Sequence, residues 1–302
     1  MVLLYHRISE DESDDPGGMV VPPSLFREHM TALSDWFSVV PARGILSGHG
    51  EPAAAVTLDD GYLDNLEQAV PVLQEFSLPA TFFVVADALA GGGRGPVEEY
   101  WWDRLEHLLL EHDSGGNQLG VQVGRRMLRL DLANVDSRRM AYWQLSAALY
   151  RQPPAEVRRV VSELETVRPR AAACMRHRRM TVEQVQRLAE DPLFTIGSHT
   201  CSHAALAQLR GEEARRELTK SRDALRAILG ESPELLAYPF GAPGTVTRRN
   251  AQEARAAGYR LAFANVAGPV DGADPFAVPR ITVGRWSVDR LQRAVTAWVP
   301  VA

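Results

Sequence analysis

Residues 53–61, AAAVTLDDG, run from an apolar stretch straight into two adjacent aspartates and a glycine. The run AAAVTL is short, continuous and free of charge, the pattern of a strand buried on both faces in a parallel sheet. Asp59 and Asp60 therefore stand where that strand is predicted to end. Two neighbouring carboxylates in a low-dielectric setting stay ionised together only beside positive charge. What supplies that charge is the question the rest of the chain has to answer.

Outward from this stretch the same pattern recurs. Strands are predicted at 2–5 (VLLY), 37–40 (FSVV), 80–85 (ATFFVV), 193–197 (LFTIG), 234–238 (ELLAY), 260–264 (RLAFA) and 276–281 (FAVPRI). Helix-length segments lie between them at 24–33, 212–229, 247–258 and 287–298, with Ser24 and Ser287 as expected N-caps and Gly230 and Gly258 as expected stops. Strands alternating with helices predict an α/β fold with a mainly parallel sheet. Periodicity alone admits an open sheet or a barrel.

Residues 91–180 break this rhythm. They open on GGGRGP, continue through the aromatic EYWWDRLEHLLLEH and end in the arginine-rich VRPRAAACMRHRRM. The segment reads as a partly helical insertion or lid within a single domain spanning 1–302. Tyr100, Trp101 and Trp102 read as packing residues, with sugar stacking as the alternative. The arginines at 168, 170, 176, 178 and 179 read as a solvated helix face, with a phosphate or nucleotide site as the alternative.

Composition narrows the class. The chain has 302 residues, 45% hydrophobic and 24% charged, with a formal net charge of -5, which fits a globular protein and argues against a nucleic-acid binder while leaving room for a local basic patch. The opening MVLLYHRISE holds too short an apolar stretch for a secretory signal, and no run reaches the about 18 residues of a membrane span, so a cytoplasmic chain is expected. Cys174 and Cys201 are too few for a disulfide framework.

Chemically capable residues follow several of the apolar runs. His6 follows VLLY, Asp59 and Asp60 follow AVTL, His199 follows LFTIGS, the turn Tyr238–Gly241 (YPFG) follows LLA, and Arg280 follows FAVP. In parallel α/β folds the carboxyl ends of strands gather on one face, which carries the active site. His199 and His203, four apart in HTCSH, would share one face of a helical turn and could bind one ion. A carboxylate would complete a two-histidine, one-carboxylate set suited to Zn²⁺, Fe²⁺ or Co²⁺. One aspartate then binds the cation, while its neighbour keeps the basicity to deprotonate water. Each piece has a plainer reading: DDG as a turn, HxxxH as surface helix, His6 as a buried structural histidine, YPFG as a turn. Their joint occurrence at successive strand ends favours a site.

TLDDG (57–61), SHTCSH (198–203) and YPFG (238–241), in this order, resemble the NodB-homology polysaccharide deacetylases, carbohydrate esterase family 4. The resemblance covers about residues 1–90 and 180–300. It implies a distorted (β/α) barrel of about seven strands and a hydrolase that removes N-acetyl groups from amino sugars with a divalent metal. Zinc is the first expectation for that ion, with iron, cobalt or nickel as alternatives. By motif position Asp59 becomes the base, Asp60, His199 and His203 the metal ligands, and Phe240 the oxyanion donor through its backbone N–H, beside Tyr238. Many members carry an arginine where this chain has Ala237; Arg280 is the candidate to replace it. No terminal histidine motif is present, but LLYHRI resembles the opening of a permuted subgroup, the poly-N-acetylglucosamine deacetylases, which makes His6 the candidate acid. Tyr5 is expected to be structural, Cys201 a filler, and Asp64 a helix-surface or capping residue. The expected substrate is an N-acetylated sugar or small glycoside, possible intermediates of exopolysaccharide or antibiotic assembly. Deformylation, hydrolysis of a non-sugar amide, and a non-catalytic metal-binding module are the competing readings.

Overall fold

The computed structural model describes residues 1–10, 15–90, 99–110, 117–168 and 177–298. The apolar runs form β1 (Val2–Tyr5), β2 (Ala53–Leu58), β3 (Ala80–Val84), β4 (Phe194–Ser198), β5 (Leu235–Ala237), β6 (Leu261–Ala264), β7 (Val278–Pro279) and β8 (Ile281–Thr282). Parallel ladders join them in the order β7, β6, β5, β4, β3, β2, β1, β8. Only Arg280 separates β7 from β8. Phe263 of β6 pairs with Val278, and Leu3 of β1 pairs with Ile281, so one kinked strand meets both ends of the path. Counted as one strand, β7 and β8 close a seven-stranded parallel barrel with helices outside it. The expected strand at 37–40 shrinks to Ser38–Val39, paired to the start of β2 off the main path.

Alternation along each strand sorts the side chains. Val2, Ala55, Phe83, Leu235, Ala237, Phe263 and Val278 form one buried cluster, drawn from alternate positions, that fills the lumen. Leu3, Tyr5, Val56, Leu58, Phe82, Val84 and Ile196 join the outer cluster with helix residues such as Phe26, Met30 and Leu291. Both faces are apolar, which is why the strands read as continuous runs. Gly197 makes room inside, because a Cβ there would enter the Phe83 ring.

The helices follow the predicted segments with one correction. The first spans Pro23–Trp36, so Pro23 fills the first helical position and Ser24 is not the cap. Ser287 does cap its helix, accepting from the Arg290 N–H at 3.3 Å, and Gly230 ends its helix at φ 81°.

Ser13–Pro16 and Glu98–Arg178 form a second compact unit. It contains helices Trp101–Leu109, Val135–Leu149 and Pro154–Val167 and an antiparallel hairpin of Gln118–Val123 with Arg126–Asp131. Leu105, Leu108, Val121, Leu130, Leu145 and Val161 belong to its own core. Tyr100 and Trp102 stack on each other at 4.3 Å and are buried there. Arg168 is also buried, its Nε–H donating to the Leu108 carbonyl at 2.9 Å, which corrects the reading of that residue as part of a solvated face. Arg170, Arg176, Cys174 and the GGGRGP stretch lie outside the described residues. No described helix is long and apolar enough to cross a membrane.

Candidate active site

The carboxyl ends of the barrel strands bring most of the singled-out residues together. Asp59 extends the β2 ladder by one step, its N–H donating to the Tyr5 carbonyl at 3.0 Å. Asp60 (φ 73°) and Gly61 (φ 70°) then turn the chain through two consecutive left-handed residues. Gly61 is tied down where its carbonyl accepts from the Met180 N–H at 2.9 Å. Left-handed backbone at a non-glycine residue costs about 1–3 kcal/mol and persists only where the surroundings enforce it. Here the turn gives the two carboxylates different principal partners, with His199 Nε2 also 3.8 Å from Asp59 Oδ2.

Asp60 Oδ1 lies 3.3 Å from His199 Nε2 and 3.2 Å from His203 Nε2. The His199 Nδ1–H donates to the Ala237 carbonyl at 2.8 Å, which orients the ring with Nε2 toward Asp60. The two histidines do not share a helical turn as expected. His199 immediately follows β4, and the chain beyond it is left-handed at Thr200 (φ 62°) and again at His203 (φ 57°). That doubly turned loop, not helical periodicity, brings the rings to 4.8 Å. Glu217 holds it from outside: Oε2 accepts the Cys201 and Ser202 N–H groups at 3.0 and 2.8 Å, and Oε1 accepts the Ser202 hydroxyl at 2.7 Å.

Two imidazole nitrogens and a carboxylate oxygen, all buried and mutually within 4.8 Å, are a donor set that fits one borderline divalent ion. Burial works to raise the Asp60 carboxyl, but the bonds with His199 and His203 outweigh it and hold it well below the usual carboxylate range. Burial also works against the charged form of His199, yet Asp59 and Asp60 prevail and raise it. His203 is lowered by burial. Burial, reinforced by Glu217 and Asp87, pushes the Cys201 thiol up to about 11, so at neutral pH it stays protonated between the two histidines. A second trio of such groups, Asp103, Glu106 and His177, lies within the second unit. Asp103 there accepts from the Tyr100 N–H at 3.3 Å, and the His177 ring packs on His107 at 5.0 Å.

Asp59 faces the lumen, where Arg280 grips both of its oxygens at 2.7 Å. The arginine comes from the kink between β7 and β8, and its side chain is fully enclosed. Its Nη2 also donates to Asn265 Oδ1 at 2.6 Å, and its guanidinium lies over the Phe83 ring at 5.6 Å. Asn265 in turn donates from Nδ2 to the Phe240 carbonyl at 2.9 Å and from its backbone N–H to the Gly241 carbonyl at 2.8 Å. The YPFG turn is thereby fixed, with Phe240 left-handed at φ 62° and its ring 4.8 Å from that of His203. Gly241 (φ 55°) has no room for a side chain, since a Cβ would meet the Asn265 nitrogen at 2.6 Å. Tyr238 is not brought to the carboxylates; its buried hydroxyl donates to the Phe276 carbonyl at 3.1 Å.

His6 stands at the end of β1, half-buried, with its carbonyl accepting from Asn65 Nδ2 at 2.8 Å. Its Nδ1 is buried without a hydrogen-bond partner among the described residues, and its charge contributes to lowering Asp60. Tyr5 packs on the outer side, paired with His29 Nδ1 at 3.2 Å. Asp64 is neither a surface nor a capping residue: its side chain makes no cap bond, pairs with Arg7 Nε at 3.0 Å and accepts from the Ile8 N–H at 3.2 Å. Burial, partly offset by Arg7, raises its carboxyl to about 6.

Sequence reasoning missed Glu217 and Asn265. Glu217 sits among the many charged residues of helix Gly211–Leu229 and carries no local signal. Asn265 does follow an apolar run, the same signal that pointed to His6 and Arg280.

The family model for polysaccharide deacetylases matches residues 47–121 and 151–262. A curated relative described as putative polysaccharide deacetylase YxkH, from Bacillus subtilis strain 168, is 32% identical over 113 residues, 35% of this chain and 38% of that protein. Among solved structures, the Streptococcus pyogenes deacetylase PplD in complex with acetate superposes with a TM-score of 0.60 at 16% identity, over 97% of this chain and 96% of that one. The de-N-acetylase from Aggregatibacter actinomycetemcomitans gives 0.59 at 16% identity, covering 97% and 98%. IcaB from Ammonifex degensii gives 0.56 at 18% identity, covering 99% and 95%. At these identities the structures speak for a shared barrel fold.

Proposed function

The chain belongs to the polysaccharide deacetylase family, whose model matches more than half of it, and from that premise we propose a metal-dependent hydrolase that removes the N-acetyl group from an amino sugar or N-acetylated glycoside. The observation that carries the reading is the division between the adjacent aspartates: Asp59 is clamped by Arg280, whereas Asp60 faces the Nε2 atoms of His199 and His203.

Asp60, His199 and His203 would hold one divalent ion, zinc in the first instance, which when bound supplies a Lewis acid for the amide carbonyl and makes a water more acidic. Asp59 takes the proton from the attacking water. Arg280 balances the charge of that carboxylate inside the barrel and fixes the direction of its lone pairs, a two-toothed contact that a point charge cannot reproduce. The Phe240 N–H is assigned to the carbonyl oxygen as negative charge develops on it, and a single donor of this kind is worth about 3 kcal/mol. His6 gives its proton to the departing amine nitrogen, so water and amide leave as acetate and a free amino sugar. The tyrosine of the YPFG turn has no part in this scheme.

Acetate release from N-acetylglucosamine oligomers by the zinc-loaded protein tests the reading. Asp59→Asn should keep the metal and lose turnover by about 10²- to 10⁴-fold. Near wild-type turnover in that variant would remove Asp59 as the base. The same assay on N-formyl sugars and peptide amides, read by mass spectrometry, separates deacetylation from the competing amide substrates. Bound metal with no release from any amide would make the barrel a binding module.

A further inference from the structure

We propose that Glu217 is the positioning residue of the histidine loop, holding residues 200–203 in the one shape that aims His199 and His203 at the same point. The proposal rests on the metal-binding reading above and names a residue outside its ligand set.

The loop has an unusual task. It must turn twice through left-handed backbone, at Thr200 and at His203, neither of which is glycine. Such angles persist only if neighbouring contacts over-determine them. On one side the Ala86 N–H donates to the Thr200 carbonyl at 3.1 Å and the Asp87 N–H to the Cys201 carbonyl at 2.8 Å, so the chain after β3 grips the loop's acceptors. From the other side Glu217 grips the donors of Cys201 and Ser202. Both oxygens of that carboxylate are used, with Cys201 N–H and Ser202 N–H on Oε2 and the Ser202 hydroxyl on Oε1. The carboxylate stands on helix Gly211–Leu229, which is anchored to the barrel by Leu218 and Leu225 in the core and by a Ser221–Ser198 contact of 2.6 Å. Ser198 immediately precedes His199. One rigid helix thus fixes both the strand end that carries the first histidine and the loop that delivers the second. Charge-assisted bonds to successive backbone N–H groups are the strong kind, and they set direction as well as energy.

Metal affinity reads this directly, without any substrate. Zinc affinity is measured by competition with a chromophoric chelator, the absorption spectrum of the cobalt-loaded protein is recorded, and the thermal midpoint of the metal-free protein is taken in parallel. Glu217→Ala should weaken zinc binding by about 10- to 100-fold and change the cobalt spectrum, while the metal-free midpoint stays near wild type. Glu217→Gln retains an acceptor but no charge and should fall between. Ser202→Ala, which removes one contact of three, should show a smaller loss; together with Glu217→Gln it carries the test if Glu217→Ala fails to fold. Glu212→Gln, on the exposed side of the same helix, should change nothing. Lowered metal-free stability with unchanged zinc affinity and cobalt spectrum would mean a merely structural glutamate and overturn the proposal. A wild-type protein that binds neither zinc nor cobalt overturns the metal reading as well, so the two failures are told apart.

Discussion

Arg280 is the residue on which charge balance in the barrel turns. Its side chain is fully enclosed, and it neutralises a carboxylate that is 1% exposed. Removing one partner of a buried pair leaves an uncompensated charge, so Arg280→Ala is expected to lose about 3–5 kcal/mol in urea unfolding. Turnover should fall by about 10²-fold or more with it, because Asp59 loses its orientation. Arg280→Lys keeps the charge and should recover stability more than rate, since an ammonium cannot hold both oxygens. Equal recovery of the two would show that charge alone matters. The Arg7–Asp64 pair answers to pH instead. A carboxyl raised from 3.8 to about 6 takes up a proton on folding between those values. Its contribution is full below the lower value and is lost as pH rises through about 6, amounting to about 1 kcal/mol between pH 5 and pH 7.5. Asp64→Asn cannot titrate, so its unfolding free energy should fall less than that of wild type over this interval. An identical pH dependence in the two proteins would remove Asp64 as the source.

At the level of elements, the strands show how packing limits what a single position can hold. Gly197, in β4, is the ladder partner of Phe83 on the neighbouring β3, whose ring lies over it, and a Cβ would sit inside that ring. Gly197→Ala is therefore expected to cost about 1–3 kcal/mol through overpacking, whereas Gly50→Ala, with open space around it, should be neutral in the same thermal melts. Equal melting of the two would mean that the lumen has slack. The strands themselves were legible because burial on both faces leaves continuous apolar runs, and the groups just beyond them were legible because polar residues interrupt those runs. The hairpin of Gln118–Val123 and Arg126–Asp131 was hidden by arginines on its open face, although Val121, Val123, Leu128 and Leu130 alternate inward. Glu217 and Asp64 were illegible for a different reason. Their roles depend on chain segments that meet them only after folding, such as Ser202 and Arg7, and an acidic residue in or before a helix looks the same whether it meets solvent or a buried N–H. The left-handed angles at Asp60, Thr200, His203 and Phe240 were equally unreadable, because no glycine marks those positions.

For the whole molecule, the candidate site and the closure of the barrel are coupled. The strand that closes the path bears Arg280 at its kink, while Asp60 and His199 come from β2 and β4 on either side of β3. An ion held by Asp60, His199 and His203 would therefore add to the ladders and side-chain contacts that already join these strand ends. A ligand that binds the folded chain and not the unfolded one stabilises by mass action, about 2.7 kcal/mol at a free concentration a hundred times its dissociation constant. For a chain of this size that corresponds to a thermal midpoint lower by about 4 °C after chelation and dialysis. The adjacent aspartates make the measurement specific: Asp59→Asn should keep the metal-dependent shift and Asp60→Asn should lose it. A shift of wild-type size in Asp60→Asn would move the ion to other ligands, with the Asp103, Glu106 and His177 trio the next place to look. No shift in the wild type would mean that these three side chains hold one another rather than a cation.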